Sequence, residues 1–142
     1  LRLETEPSCW RDYLAGHGVQ RSLRPDLGVR LTVNGRQLVW FVEVDQGTEG
    51  LRRIRAKGRQ YLEYWRTGQE QQRLGGVFPK VLWSVPDRRR KQLLLRTLGE
   101  LPPPADEMFV VSMAEGSAAV LTGGSVDELD VDANKGIEGD RA

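Results

Sequence analysis

Gly28-Val29-Arg30-Leu31-Thr32-Val33-Asn34-Gly35-Arg36-Gln37-Leu38-Val39-Trp40-Phe41-Val42-Glu43-Val44-Asp45 is the stretch whose reading decides the fold. Asn34-Gly35 is a two-residue hairpin signal, because the tightest strand reversal needs positive φ at both central positions and Asn and Gly tolerate it. Residues 28–33 alternate and read as one strand, with 37–44 as the return. Residues 38–42 are an unbroken apolar run, which suits a central strand covered on both faces.

Upstream, Arg24-Pro25-Asp26 is a turn, since Pro25 pushes Arg24 into an extended shape. Residues 1–6 read as a strand and 10–14 as a short helical stretch ending at Gly16-His17-Gly18. Downstream, Gln46-Gly47-Thr48-Glu49-Gly50 breaks the return strand and opens a helix, with Thr48 as the expected N-cap. Leu51, Ile54, Tyr61, Leu62 and Trp65 recur at helical spacing across 50–66, and Gly58 on that face suggests close approach to the sheet. Residues 80–86 form a further strand. Asp87 caps an Arg-rich helix over 88–99, Pro102-Pro103-Pro104 stiffens the next connection, and 107–113 form a last strand. The order specifies an α/β fold, a mixed β-sheet flanked by helices.

The chain has 142 residues, enough for one buried core. No apolar run approaches the roughly 20 residues that span a bilayer, which excludes an integral membrane protein built on helices. The single Cys9 offers neither an internal disulfide nor zinc-site spacing, and it suits a reducing cytoplasm. With no initiator Met at Leu1, a piece of a longer chain is expected. The net charge of +1 hides a segregation: residues 21–98 carry 17 basic and 7 acidic residues, residues 99–142 carry 2 and 10. Such asymmetry points to a polyanion partner or an autoinhibitory tail. Residues 1–122 are expected to form the domain and 123–142 a disordered acidic tail. Within that tail, Asp130-Val131-Asp132-Ala133-Asn134 begins like a calcium loop but lacks its Gly and its final Glu. His17 reads as a loop residue, and Cys9 has no basic neighbour to activate it.

Chemistry concentrates where the hairpin ends. Counting outward from Asn34-Gly35 sets Asp26 opposite Glu43, and alternation gives Glu43 and Asp45 a common face. Clustered carboxylates at strand ends suit a hard divalent cation, Mg²⁺ or Mn²⁺, with positions left for phosphate and water. On the next helix, at about 100° per residue, Arg53, Lys57, Gln60 and Tyr64 fall on one polar stripe. Lys57 there can neutralise the carboxylates or hold a phosphate. Arg53, Lys57, Arg59 and Arg66, with Arg88, Arg89, Arg90 and Lys91 on the later helix, are the candidate DNA contacts.

Taken together, Arg24-Pro25-Asp26, the run from Phe41 to Glu49, the helix ending Gln60-Tyr61-Leu62-Glu63-Tyr64, and Phe78-Pro79-Lys80-Val81-Leu82-Trp83-Ser84-Val85-Pro86 resemble the replication-relaxation family of plasmids and integrative elements. The order also resembles the PD-(D/E)XK nuclease superfamily, which implies a restriction-endonuclease-like core. By that resemblance Asp26 and Glu43 are metal ligands and Asp45 stands where the superfamily keeps its catalytic Lys. Lys57 on the helix is then the substitute, and Gln60 and Tyr64 resemble the Gln-x-x-x-Tyr element that places DNA. The reading is a cytoplasmic DNA-processing domain, catalytic through Asp26, Glu43, Asp45 and Lys57 with Mg²⁺, and compatible with a homodimer. Its rival is a DNA-binding replication-initiation module with a degenerate nuclease fold. In both, the family implies a DNA-binding region upstream of Leu1. A third class is a protein-interaction domain that binds no nucleic acid.

Overall fold

Asn34 and Gly35 take φ values of 51° and 77°, the left-handed conformation a tight hairpin needs. Around them β4 (Leu27–Val33) and β5 (Arg36–Val44) pair antiparallel, Val33 opposite Arg36 through Leu27 opposite Val42. The computed structural model describes residues 1–123 of the chain. The acidic tail and its calcium-like segment lie, from residue 124 on, outside the described residues.

Five strands form the main sheet in the order β1-β4-β5-β6-β7, where β1 is Arg2–Glu4, β6 Lys80–Val85 and β7 Phe109–Met113. β1, β4 and β5 run antiparallel in succession; β5, β6 and β7 are parallel. β5 is therefore the middle strand, as its unbroken apolar run requires. Two crossovers supply the parallel pairs: α1 (Leu51–Thr67) with α2 (Gln69–Arg73) between β5 and β6, and α3 (Arg88–Gly99) with α4 (Ala105–Met108) between β6 and β7.

One face of the sheet carries the larger core. Phe41, Val81, Trp83, Val85 and Val111 pack there against Ile54, Tyr61 and Leu62 of α1 and Leu94 and Leu98 of α3. Tyr61, Trp83 and Phe109 meet edge-on with ring centroids 5.9 to 6.2 Å apart, and such pairs add about 1 kcal/mol each beyond burial. On the other face Val29, Trp40, Val42 and Leu82 are covered by α5 (Ala114–Leu121) through Val120.

Asp87 caps α3, its side chain accepting from the Arg90 amide at 2.8 Å. α1 is not capped by Thr48; Gly50 holds the N-cap position and no side chain bonds there. Gly58 makes its close approach both to the sheet, where a Cβ would lie 3.6 Å from Phe109 Cε2 of β7, and to the end of α3. That Cβ would also lie 2.6 Å from Leu101 Cδ1, just past α3, and 3.0 Å from Leu98 Cδ2, so the small residue lets α1 pack against α3 and the connection after it.

Residues 10–14 are not helical. β2 (Arg11–Leu14) and β3 (Gln20–Leu23) form a second, two-stranded sheet. The expected helical stretch is overturned by the burial pattern: Arg11 and Tyr13 are buried while Asp12 and Leu14 are exposed, a period of two. Arg11 is buried because Glu70, 59 residues away, takes its guanidinium at 2.9 Å. Leu23 and Tyr13 join the larger core, and the Tyr13 ring sits 5.2 Å from Tyr64 of α1. The last strand is shorter than residues 107–113, because α4 occupies its first positions.

Candidate functional site

The ladder set by Asn34-Gly35 ends at Leu27–Val42, and Asp26, the next residue, lies beside the end of β5, close enough for its charge to act on Glu43. The Asp26 amide bonds the Val42 carbonyl at 3.1 Å, and Asp26 Oδ2 accepts from the Val44 amide at 2.7 Å. The backbone thereby fixes the Asp26 carboxylate against the end of β5. Asp26 has no ion-pair partner among the described residues.

Glu43 ends the apolar strand and is 7% exposed. Burial alone would make its charge costly, and α1 answers with two groups one helical turn apart. Tyr61 donates its hydroxyl to Glu43 Oε2 at 2.5 Å, and Lys57 Nζ lies 3.4 Å from Oε1. Lys57 also donates to the Arg24 carbonyl at 2.7 Å, tying the β3–β4 link to the same point. Desolvation is the largest influence on Glu43 and lifts its pKa from 4.5 to about 7. Lys57 and Tyr61 pull it down, and the Asp26 charge adds to the rise. The Tyr61 hydroxyl is in turn held well above its ordinary pKa by its own burial and by Glu43. Asp26, Glu43 and Lys57 are thus brought together at the end of β5.

Asp45 is taken out of that group. It shares the face of Glu43, but α3 turns Arg90 onto it, Nε to Oδ2 at 2.6 Å and Nη2 to Oδ1 at 2.8 Å. Arg90 Nη2 also donates to the Glu49 carbonyl at 2.7 Å. Both oxygens of Asp45 are thus held by a guanidinium, which sets it apart from Asp26 and Glu43. No group of three or more His, Cys, Asp or Glu among the described residues is arranged to hold a metal ion. The oxygens of Glu43 are likewise engaged, by Tyr61 and Lys57, and of the three carboxylates Asp26 alone has no cationic side chain on it among the described residues.

The stripe on α1 divides along its length. Arg53 is 80% exposed and Lys57 27%, whereas Gln60 donates to the Ser22 carbonyl and Tyr64 is fully buried with its hydroxyl on Glu70 at 2.6 Å. The hairpin β2–β3 lies over the C-terminal half of the stripe. Gln60 and Tyr64 therefore anchor that hairpin, and Tyr64 is not a surface contact for DNA. Arg90 and Lys91 are buried as well, which removes them from the expected DNA face. Arg52, Arg53, Arg59, Arg66, Arg88, Arg89 and Arg96 are exposed on α1 and α3.

Two residues that shape the site went unassigned from the sequence. Tyr61 had a signal, since it stands four residues after Lys57 and so shares its side of the helix. Arg90 as the partner of Asp45 had none, because the contact spans 45 residues. Among the described residues no helix is long and apolar enough to cross a membrane. No curated protein and no solved structure matches the chain. Residues 1–81 match the replication-relaxation family, and this match takes in β1 to β5, α1 and every residue of the Asp26, Glu43 and Lys57 cluster. The chain belongs to the replication-relaxation family.

Proposed function

We propose that this domain processes DNA in the replication of a plasmid or mobile element, using a nuclease-like site in which Asp26 and Glu43 hold one Mg²⁺ or Mn²⁺. The observation that carries this reading is the convergence of Asp26, Glu43 and Lys57 at one end of the central strand. The succession of antiparallel hairpin, crossover helix and parallel strand supports a restriction-endonuclease-like core. Bound there, the cation would neutralise charge on a scissile phosphate and lower the pKa of its water. Asp26 is held for that role by the Val44 amide, and Tyr61 fixes the direction of Glu43. Lys57 keeps a positive charge beside the carboxylates, where it orients a phosphate oxygen. The exposed arginines of α1 and α3 hold the duplex backbone, a mode in which affinity falls steeply with salt.

Melting curves with and without millimolar Mn²⁺ test the site. Wild type gains melting temperature with metal, while Asp26→Asn and Glu43→Gln gain none. Nicking of supercoiled plasmid that a chelator abolishes establishes catalysis. Absence of any metal-dependent shift in wild type overturns the reading.

A second reading, a DNA-binding replication module without catalysis, is favoured by the lock of Arg90 on Asp45 and of Lys57 on the Arg24 carbonyl. Salt-sensitive DNA binding with no metal shift and no nicking selects it.

A further inference from the structure

The opposite end of β5 carries a feature the proposed site does not use. A cavity of about 670 Å³ opens along the first half of β5, from Arg36 to Trp40, whereas Glu43 stands at the strand's other end. Its apolar floor includes Leu38, Trp40, Phe78 and Val120. Arg36 and Lys80 stand exposed on its wall, and among the described residues no acidic one lines it. Val77 on the same wall is 69% exposed, a large apolar surface with nothing over it among the described residues. Trp40 closes the inner side, its indole Nε1 donating to the Leu121 carbonyl at 3.1 Å.

The last lining residue is Gly123, the point from which the chain continues into residues 124–142. Those 19 residues carry six acidic and two basic side chains. Their first part, Ser125-Val126-Asp127-Glu128-Leu129-Asp130-Val131-Asp132, interleaves three apolar side chains with four carboxylates. We infer that this acidic segment of the same chain docks in the cavity, Val126, Leu129 and Val131 on its apolar floor and the carboxylates toward Arg36 and Lys80.

Three arguments converge on that occupant. Residue 126 is three positions beyond Gly123, a reach of at most about 10 Å, so the segment is delivered to the cavity by its own attachment. A tether that short gives an effective concentration in the millimolar range, at which weak contacts are populated. The signs of charge are complementary, and a wall whose described residues include two cations and no carboxylate attracts an acidic strand. The interleaved apolar residues match the mixed character of the cavity, which neither a purely charged nor a purely apolar ligand would satisfy.

The experiment uses the full chain, labelled with ¹⁵N, carrying Leu129→Cys modified with a nitroxide. Cys9 is fully buried and does not compete for the label. Docking predicts that the amides of residues 36–40 and of Val77, Phe78 and Lys80 lose at least half their intensity relative to the reduced, diamagnetic label. Charge reversal at Arg36→Glu with Lys80→Glu, both exposed, is expected to restore that intensity. Unaffected amides in the wild-type background overturn the inference. So does broadening centred on Arg53, Arg59 and Arg66, which would put the segment over α1. Broadening that transfers to a ¹⁵N chain mixed with an unlabelled, nitroxide-bearing one overturns it in favour of a second copy. Broadening that survives the charge reversal overturns the pairing with Arg36 and Lys80.

Discussion

Tyr61 and Lys57, four residues apart on α1, each hold one oxygen of the same carboxylate, Glu43. The pair fixes both the depth and the rotation of α1 over the sheet, because a helix turned by one residue would present neither group. A buried acid at the end of an apolar strand is thus converted from a liability into a register mark.

Glu43 gives the fold a pH dependence of definite sign. Its native pKa, about 7, lies above its ordinary 4.5, so the native state binds the proton more tightly than the unfolded chain. The stabilisation is complete below about pH 4.5 and is lost as pH rises through about 7, a span worth about 3 kcal/mol. Urea denaturation of wild type and Glu43→Gln at pH 5 and pH 8 measures it. The variant is expected to gain on wild type between the two pH values by about that amount.

Asp26→Asn tests the coupling across the hairpin. Removing its negative charge withdraws one of the influences that raise Glu43. The pH dependence assigned to Glu43 then shifts to lower pH, which carbon-detected NMR titration of the Glu43 carboxyl reads directly. A Glu43 titration unchanged by the substitution contradicts the juxtaposition.

Arg90→Met strands Asp45, 7% exposed, without its guanidinium. Such a buried orphan charge costs about 3 to 5 kcal/mol. Arg90→Met combined with Asp45→Leu is expected to recover most of that loss, since replacing both partners removes the charge to be compensated. Denaturant midpoints of the two single variants and the double variant complete the cycle.

Gly58→Ala sets two effects against each other. Helix propensity favours Ala by about 1 kcal/mol, while its Cβ meets Leu101 and Leu98 at 2.6 and 3.0 Å. Both neighbours are side-chain ends that can turn, so stability stays within about 1 kcal/mol of wild type. Gly58→Leu finds no such room and is expected to lose about 1 to 3 kcal/mol. Thermal melts of both variants check the difference.

The part of this architecture governed by short-range rules was readable in the sequence. Asn34-Gly35 dictated a register that runs from Val33–Arg36 to Leu27–Val42 and so carries Asp26 to the end of β5, and helical spacing from Leu51 to Trp65 marked α1. What escaped was set by partners far along the chain. Arg11 reads as a surface residue until Glu70 is placed beside it, and without that burial the alternation of β2 is invisible. The same hidden hairpin covers Tyr64, which turned an expected nucleic-acid contact into a packing residue. α5 went unassigned because Ala114-Glu115-Gly116-Ser117 has weak helical character, and its position on the sheet comes from Val120 and the Leu121 carbonyl.

The inward turn of Arg90 also bears on how the molecule looks to an approaching polyanion. Its charge is cancelled at close range by the buried Asp45 carboxylate, so it adds little to the field at a distance. The positive excess of residues 21–98 is displayed instead by side chains in water, such as Arg53 and Arg59. Salt screens exposed charges over about 10 Å at 0.1 M but reaches buried pairs far less. Raising ionic strength therefore quiets the outer surface while leaving the lock of Arg90 on Asp45 in place.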